Sequence, residues 1–258
     1  ANWYFWAVSE CEFPYEYLPD EKRENKTEKE LKEEANQIGL IRLITRLIFV
    51  WFIKEKGLVP GTLFKKEEVE KHLNYKDNRK STYYKAILQN LFFATLNTDM
   101  ERDKPGSRKW VKGQFLVQYF YRYRDYFKDE KAALELFKDV PFLNGGLFEN
   151  LDRRGTDGKS IRVDCFSENP KHRKRLCVPD KLFFGEEKTV DISDFFDGDP
   201  KKKKEKVRGI LHILSSYKFT VSENTPLEEE VALDPELLGK VFENLLASYN
   251  PETKTTAR

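Results

Sequence analysis

The sequence predicts a mainly α fold: a multi-helix bundle-like domain with an irregular middle region carrying a few short strands. Three observations predict it. Apolar residues recur at helical spacing through long stretches of the first 140 residues. Between 141 and 205 the apolar runs shorten and Gly, Asp and Pro accumulate. Helical spacing then returns. We therefore expect a helical domain over 1–140, an irregular basic region with short strands over 141–205, and C-terminal helices with a tail over 206–258. A chain of 258 residues can bury a sizeable core. Its 14% aromatic content is too high for a disordered protein, while 35% charged residues imply long solvated stretches.

Residues 2–13, "NWYFWAVSECEF", concentrate aromatics at helical spacing. The Lys/Glu-rich stretch 20–37 reads as either an exposed helix or a mobile insertion. From Ile38 to Lys56 a long central helix follows, which Gly57 ends and Pro60-Gly61 turns away. Its run Leu47 to Ile53 is flanked by Arg42, Arg46 and Lys54 and is far shorter than the roughly 20 residues of a membrane span, so it reads as buried. "STYYKAILQNLFFATLN", 81–97, predicts another helix, with Ser81 as cap and Tyr84, Ile87, Leu88, Leu91, Phe92 and Thr95 facing inward. "KAALELFKDV" adds a short one. "PFLNGGLFE" then places Pro141 and Gly145-Gly146 around an apolar loop, and "IRVDCF" and "KLFF" are candidate strands. Helix is expected at 206–217 and a strand at "KFTVS". The last helix has Asp234 as cap, Pro235 at its first position, a stripe of Leu237, Leu238, Val241, Phe242, Leu245 and Leu246, and a stop at Asn250-Pro251.

Charge is distributed in blocks. The totals, 46 basic against 44 acidic, nearly cancel. Between Arg153 and Arg175, however, lie Arg153, Arg154, Lys159, Arg162, Lys171, Arg173, Lys174 and Arg175, and a run of lysines spans 201–204, whereas the stretch after Lys218 is acidic up to Lys240. A loop so rich in Arg and Lys suits a phosphate backbone, where affinity scales with the number of phosphates neutralised; many basic loops bind nothing. We take Arg153, Arg154, Arg162, Lys171, Arg173, Lys174 and Arg175 as candidate contacts to DNA backbone.

Reactive constellations are not found. There is no Gly-rich cofactor turn, no Gly-Lys-Ser/Thr phosphate loop, and no (Asn/Asp)-Pro-Pro-aromatic loop, because Asn169-Pro170 runs into Lys171 and Asn250-Pro251 into Glu252. Glu30-Leu31-Lys32 matches a nuclease triplet but sits in a helix-like, highly charged segment. Cys165, His172 and Cys177 lack the spacing and the fourth ligand of a zinc knuckle and read as buried thiols beside a surface histidine. The three cysteines, Cys11 included, fit a reducing cytoplasm. The chain opens on Ala1 in mid-pattern, its only methionine is Met100, and it reads as a piece of something longer.

The segments "LIRLITRLIFVWFIKEKGLVP", "STYYKAILQNLFFATLN", "VPFLNGGLFE", "VPDKLFFGEEKTVDIS" and the terminal "YKFTVSENTPLEEEVALDPELLGKVFENLLASYNPETKTTAR" together resemble the helical connector of type IIG-like restriction-modification proteins. Those proteins join a nuclease, this connector, an adenine-specific DNA methyltransferase and a target-recognition domain. In them the tail leads straight into the methyltransferase. The resemblance implies a parent that methylates the exocyclic amine of adenine with S-adenosylmethionine and cleaves DNA with magnesium. For this fragment it implies no catalytic, cofactor or metal residue of its own. The partners expected are double-stranded DNA, bound weakly and without sequence preference, and the methyltransferase and nuclease domains of the same chain, with no membrane. The alternative is a domain-packing module that never meets DNA.

Overall fold

Thr27 opens the longest helix through a reciprocal pair of hydrogen bonds. The Glu30 N–H donates to Thr27 Oγ1 at 3.3 Å and the Thr27 N–H donates to Glu30 Oε2 at 2.7 Å, so two otherwise orphaned amides are satisfied. The helix Glu28–Glu55 therefore begins well before Ile38 and takes in much of the Lys/Glu-rich stretch. Glu30 of the nuclease-like triplet closes this cap, and Lys32 pairs with Glu28 at 2.6 Å. The helix ends at Gly57, as expected. With φ of 75° there, the Leu58 N–H reaches the Ile53 carbonyl at 3.0 Å and the Gly57 N–H reaches that of Lys54 at 2.9 Å.

The computed structural model describes residues 1–99, 108–110, 121–143 and 146–217. The expected strand "KFTVS", the capped terminal helix with its stripe, and the tail lie outside the described residues. Ala1–His212 form one compact unit; a second, Ile213–Arg258, is described only as far as Tyr217.

By length and composition the long helix would cross a membrane, with a mean hydropathy of 1.4 over its most apolar window, yet 56% of that window is buried inside the protein. The first helix, Asn2–Glu10, packs against it. Asn36 joins the two: its Nδ2 donates to the carbonyls of Val8 and Cys11 at 3.1 and 2.7 Å, and its Oδ1 accepts the Phe13 N–H at 2.9 Å. The chain end of the first helix is thus capped from the side of the second. Phe13 then lies flat over Gly39, where an added Cβ would meet its ring at 2.5 Å. A glycine in mid-helix, otherwise unfavourable by about 1 kcal/mol, is required by this close approach.

Tyr83–Leu96 forms the centre, wound as a π-helix and buried along its whole length. Thr95 Oγ1 bonds the Asn90 carbonyl at 3.0 Å across one wide turn. Burial is not confined to one face, since Lys85, Gln89 and Asn90 are enclosed as well. Ala86, Phe93 and Ala94 carry the apolar surface beyond one stripe, and a helix buried on every side lies in the middle of a protein. Ser81 is not its cap. Ser81 Oγ accepts the Val178 N–H at 2.9 Å, and the Tyr83 N–H is taken by Asp180 Oδ1 at 2.9 Å, from 97 residues away.

The fold is mainly α, with two antiparallel two-stranded ladders among the described residues: Arg153–Arg154 with Ser160–Ile161, and Lys188–Val190 with Glu205–Val207. The candidate strand "IRVDCF" supplies only Ile161 to a ladder, and "KLFF" is a single helical turn, Lys181–Phe184. The helix expected from 206 begins only at Ile210. Gly209 separates it from the strand: its N–H bonds the Gly185 carbonyl at 2.7 Å, and a Cβ there would lie 2.2 Å from the Phe183 carbonyl oxygen.

Candidate nucleic-acid interface

The basic segment hangs on two buried aspartates. Asp152 Oδ1 accepts the N–H groups of Val163, Asp164 and Cys165 at 2.8, 3.0 and 3.1 Å, and Oδ2 accepts that of Phe166 at 2.9 Å. Consecutive amides converging on one carboxylate form an anion nest, and Cys165 adopts φ of 50° to complete it. Burial pushes the Asp152 carboxyl up, as does Asp164 beside it; the Val163 and Cys165 amides and Arg162 oppose that. Arg162 Nη1 lies 3.5 Å from Asp152 Oδ2, with both side chains inside.

Asp164 faces the other way. Its Oδ2 accepts the Leu151 N–H at 2.8 Å and its Oδ1 accepts Arg46 Nη1 at 3.0 Å. The same guanidinium donates to the carbonyls of Leu147 and Glu149 at 2.8 and 3.0 Å. Gln89 Nε2 holds the Asp164 carbonyl at 2.6 Å, and Tyr123 Oη donates to Gln89 Oε1 at 2.5 Å. The long helix and the central helix therefore clasp residues 147–166 from inside. A loop without regular structure acquires a fixed position through charge-assisted bonds to rigid elements.

From this base projects a β-hairpin. Asp152 and Arg162 stand at its root, and Arg153 and Arg154 on its first strand are exposed. The turn closes through the Gly155 N–H to the Lys159 carbonyl at 2.8 Å and the Gly158 N–H to the Gly155 carbonyl at 3.0 Å, with φ of 75° at Gly158. Lys159 is exposed at the tip, paired with Asp157 at 3.2 Å. Asp157-Gly158 between polar and apolar alternation is a hairpin signal readable from the sequence, and Lys159 belongs with the candidate contacts.

The rest of the basic block is a single helical turn, Pro170–Arg173, opened by Asn169, whose side chain accepts the Lys171 N–H at 2.9 Å. Asn169-Pro170 thus acts as a cap. Lys171 and Lys174 are exposed. Arg173 is bonded to Asp125 at 2.8 Å, with its guanidinium 5.4 Å from the Tyr126 ring centre, and Arg175 pairs with Glu16. His172 Nδ1 is covered and has no hydrogen-bond partner among the described residues. Burial, together with Arg162, Arg175 and Lys171, holds its imidazole below the ordinary 6.5 and hence neutral at neutral pH.

The seven candidate contacts therefore separate. Arg153, Arg154, Lys171 and Lys174 face solvent; Arg173 and Arg175 hold neighbouring segments; Arg162 lies inside, paired, and is corrected from a backbone contact to a root of the hairpin. Cys11, Cys165 and Cys177 are buried free thiols, and among the described residues no group of three or more His, Cys, Asp or Glu is placed to hold a metal.

No family model matches the chain, and no solved structure matches it. Over 210 residues, 80% of its length, it is 28% identical to a curated protein of Methanocaldococcus jannaschii named "Putative type II restriction enzyme and methyltransferase". The match spans 12% of that protein's own length. This likeness, spread over most of the chain, relates it to restriction-modification proteins.

Proposed function

We propose that the chain is a non-catalytic helical spacer from a restriction-modification DNA methyltransferase, and that its basic segment rests on DNA backbone. In this reading the parent is type IIG-like, methylates adenine with S-adenosylmethionine, cleaves DNA with magnesium, and works in the cytoplasm. The connector fixes the methyltransferase relative to the nuclease. In this reading the described residues hold neither of the parent's cofactors, and Asn169, the nearest approach to a methylase Asn-Pro loop, has its side chain on a backbone amide. No chemical step is assigned to them.

The observation that carries the DNA-facing part is the pinning of residues 147–166, which holds exposed cations on a rigid base. Rigid presentation matters because ordering a flexible basic loop on DNA opposes binding. The test is retention of duplex DNA by the 258-residue chain as salt is varied. Log affinity should fall linearly with log salt, with a slope of about 0.9 for each phosphate engaged, and should not depend on sequence. Absence of retention at low salt, with self-association of the chain instead, would favour the domain-packing alternative and overturn this reading.

A further inference from the structure

The hairpin of residues 153–161 has the build of a prong. Its two strands are joined by only two residue pairs, Arg153 with Ile161 and Arg154 with Ser160. Strand alternation puts each pair on its own face. On the first face Ile161 is half-buried, with its Cδ1 3.3 Å from where a Cβ on Gly155 of the same hairpin would be. The face of Arg154 and Ser160 is polar and exposed. Arg153, on the face of Ile161, is exposed as well, and at the turn Lys159 is paired with Asp157.

The root is as constrained as the tip is open. Asp152 immediately before the first strand and Arg162 immediately after the second are both buried and face each other. Four backbone amides hold Asp152 from below. The nest therefore fixes the point at which the two strands leave the protein.

We propose that this hairpin enters the major groove of duplex DNA without reading base edges, with Arg153 and Arg154 on the flanking phosphates. This rests on the DNA-facing reading above and specifies its mode. Dimensions decide between grooves: a two-stranded ribbon fits a major groove about 12 Å wide and not a minor groove of about 6 Å. Charge decides between partners, because the exposed side chains near the tip other than Asp157 are cationic or neutral, and Asp157 is neutralised by Lys159.

The test uses the 258-residue chain with three duplexes of one sequence: unmodified, with the major groove filled by glucosylated 5-hydroxymethylcytosine, and with netropsin in the minor groove. Binding should fall at least tenfold on the filled duplex and stay within twofold with netropsin. Arg153→Ala and Arg154→Ala should each lower the salt slope by about 0.9 while leaving the melting temperature unchanged. The reverse groove pattern, or equal binding to single strands, overturns the groove assignment. Undiminished, salt-sensitive binding by the Arg153→Ala/Arg154→Ala double variant overturns the hairpin while leaving the broader DNA reading intact. No binding to any duplex at low salt overturns both.

Discussion

Arg154 and Arg162 sit on the two arms of one hairpin and meet opposite environments. Arg154 is in solvent, while Arg162 is buried against Asp152. The same division runs through the molecule. Arg46 is enclosed between Asp164 and two carbonyls, Arg108 donates to the carbonyls of Phe137 and Val140 at 2.6 and 2.8 Å, and Lys85 pairs with Asp77 in the core. Lys171 and Lys174, by contrast, stand exposed. The inner cations each face at least one carboxylate or carbonyl that replaces part of their lost hydration; the outer ones remain exposed. A basic stretch of sequence is therefore two populations, one buried and holding the fold and one exposed.

The largest effect is expected on the inner side. Arg46→Met should destabilise the protein by about 3–5 kcal/mol in urea unfolding, because it strands buried Asp164 and two carbonyls. Adding Asp164→Leu should recover part of that loss; no recovery would mean that packing, not charge, dominates there. Next comes the nest. Asp152→Asn removes the charge that the amides of residues 163–166 solvate, should cost about 2–3 kcal/mol, and should expose residues 153–161 to proteolysis. Unchanged protease resistance would show that the hairpin does not depend on its root.

A smaller effect separates an inner acid from the paired ones. Asp180 accepts the Tyr83 N–H through Oδ1, but Oδ2 is covered with no partner among the described residues. Burial raises its carboxyl from the ordinary 3.8 to about 7, against the pull of the Tyr83 and Thr82 amides. Between those values the folded protein holds a proton that the unfolded chain has released. Asp180 therefore contributes stability that is whole below about pH 3.8 and lost as pH rises through about 7. Asp180→Asn keeps the acceptor and removes the titration. Relative to the parent chain it should gain about 2 kcal/mol between pH 5 and pH 6.5, measured by urea midpoints; a pH-independent difference would refute this. The smallest effect is expected outside. Arg153→Ala and Lys174→Ala should change stability by less than about 0.5 kcal/mol, and a larger loss would move them to the inner class.

Much of the fold was legible where hydrogen bonds close locally. Gly57 announced the end of the long helix because the left-handed residue and both closing bonds lie within one turn. The beginning was placed too late, and the Lys/Glu run before Ile38 was left open between exposed helix and mobile insertion although Thr27 and Glu30 are a capping pair, because that run shows no apolar period. Asp157-Gly158 carries an equally local turn signal, although no hairpin was expected from it. Ser81 misled, since nothing near it in sequence shows that Asp180 occupies its place at the helix start. The candidate contacts were legible as a charged block and not as individuals.

Local sequence thus determined the helical character, the helix end at Gly57 and the position of the basic block, because periodicity, capping and turn geometry act within a few residues. Which cations were buried was decided only in three dimensions. Arg46 meets Asp164 across 118 residues of sequence. Whether a charge can leave water depends on how many acceptors converge on it, and convergence is a property of packed elements.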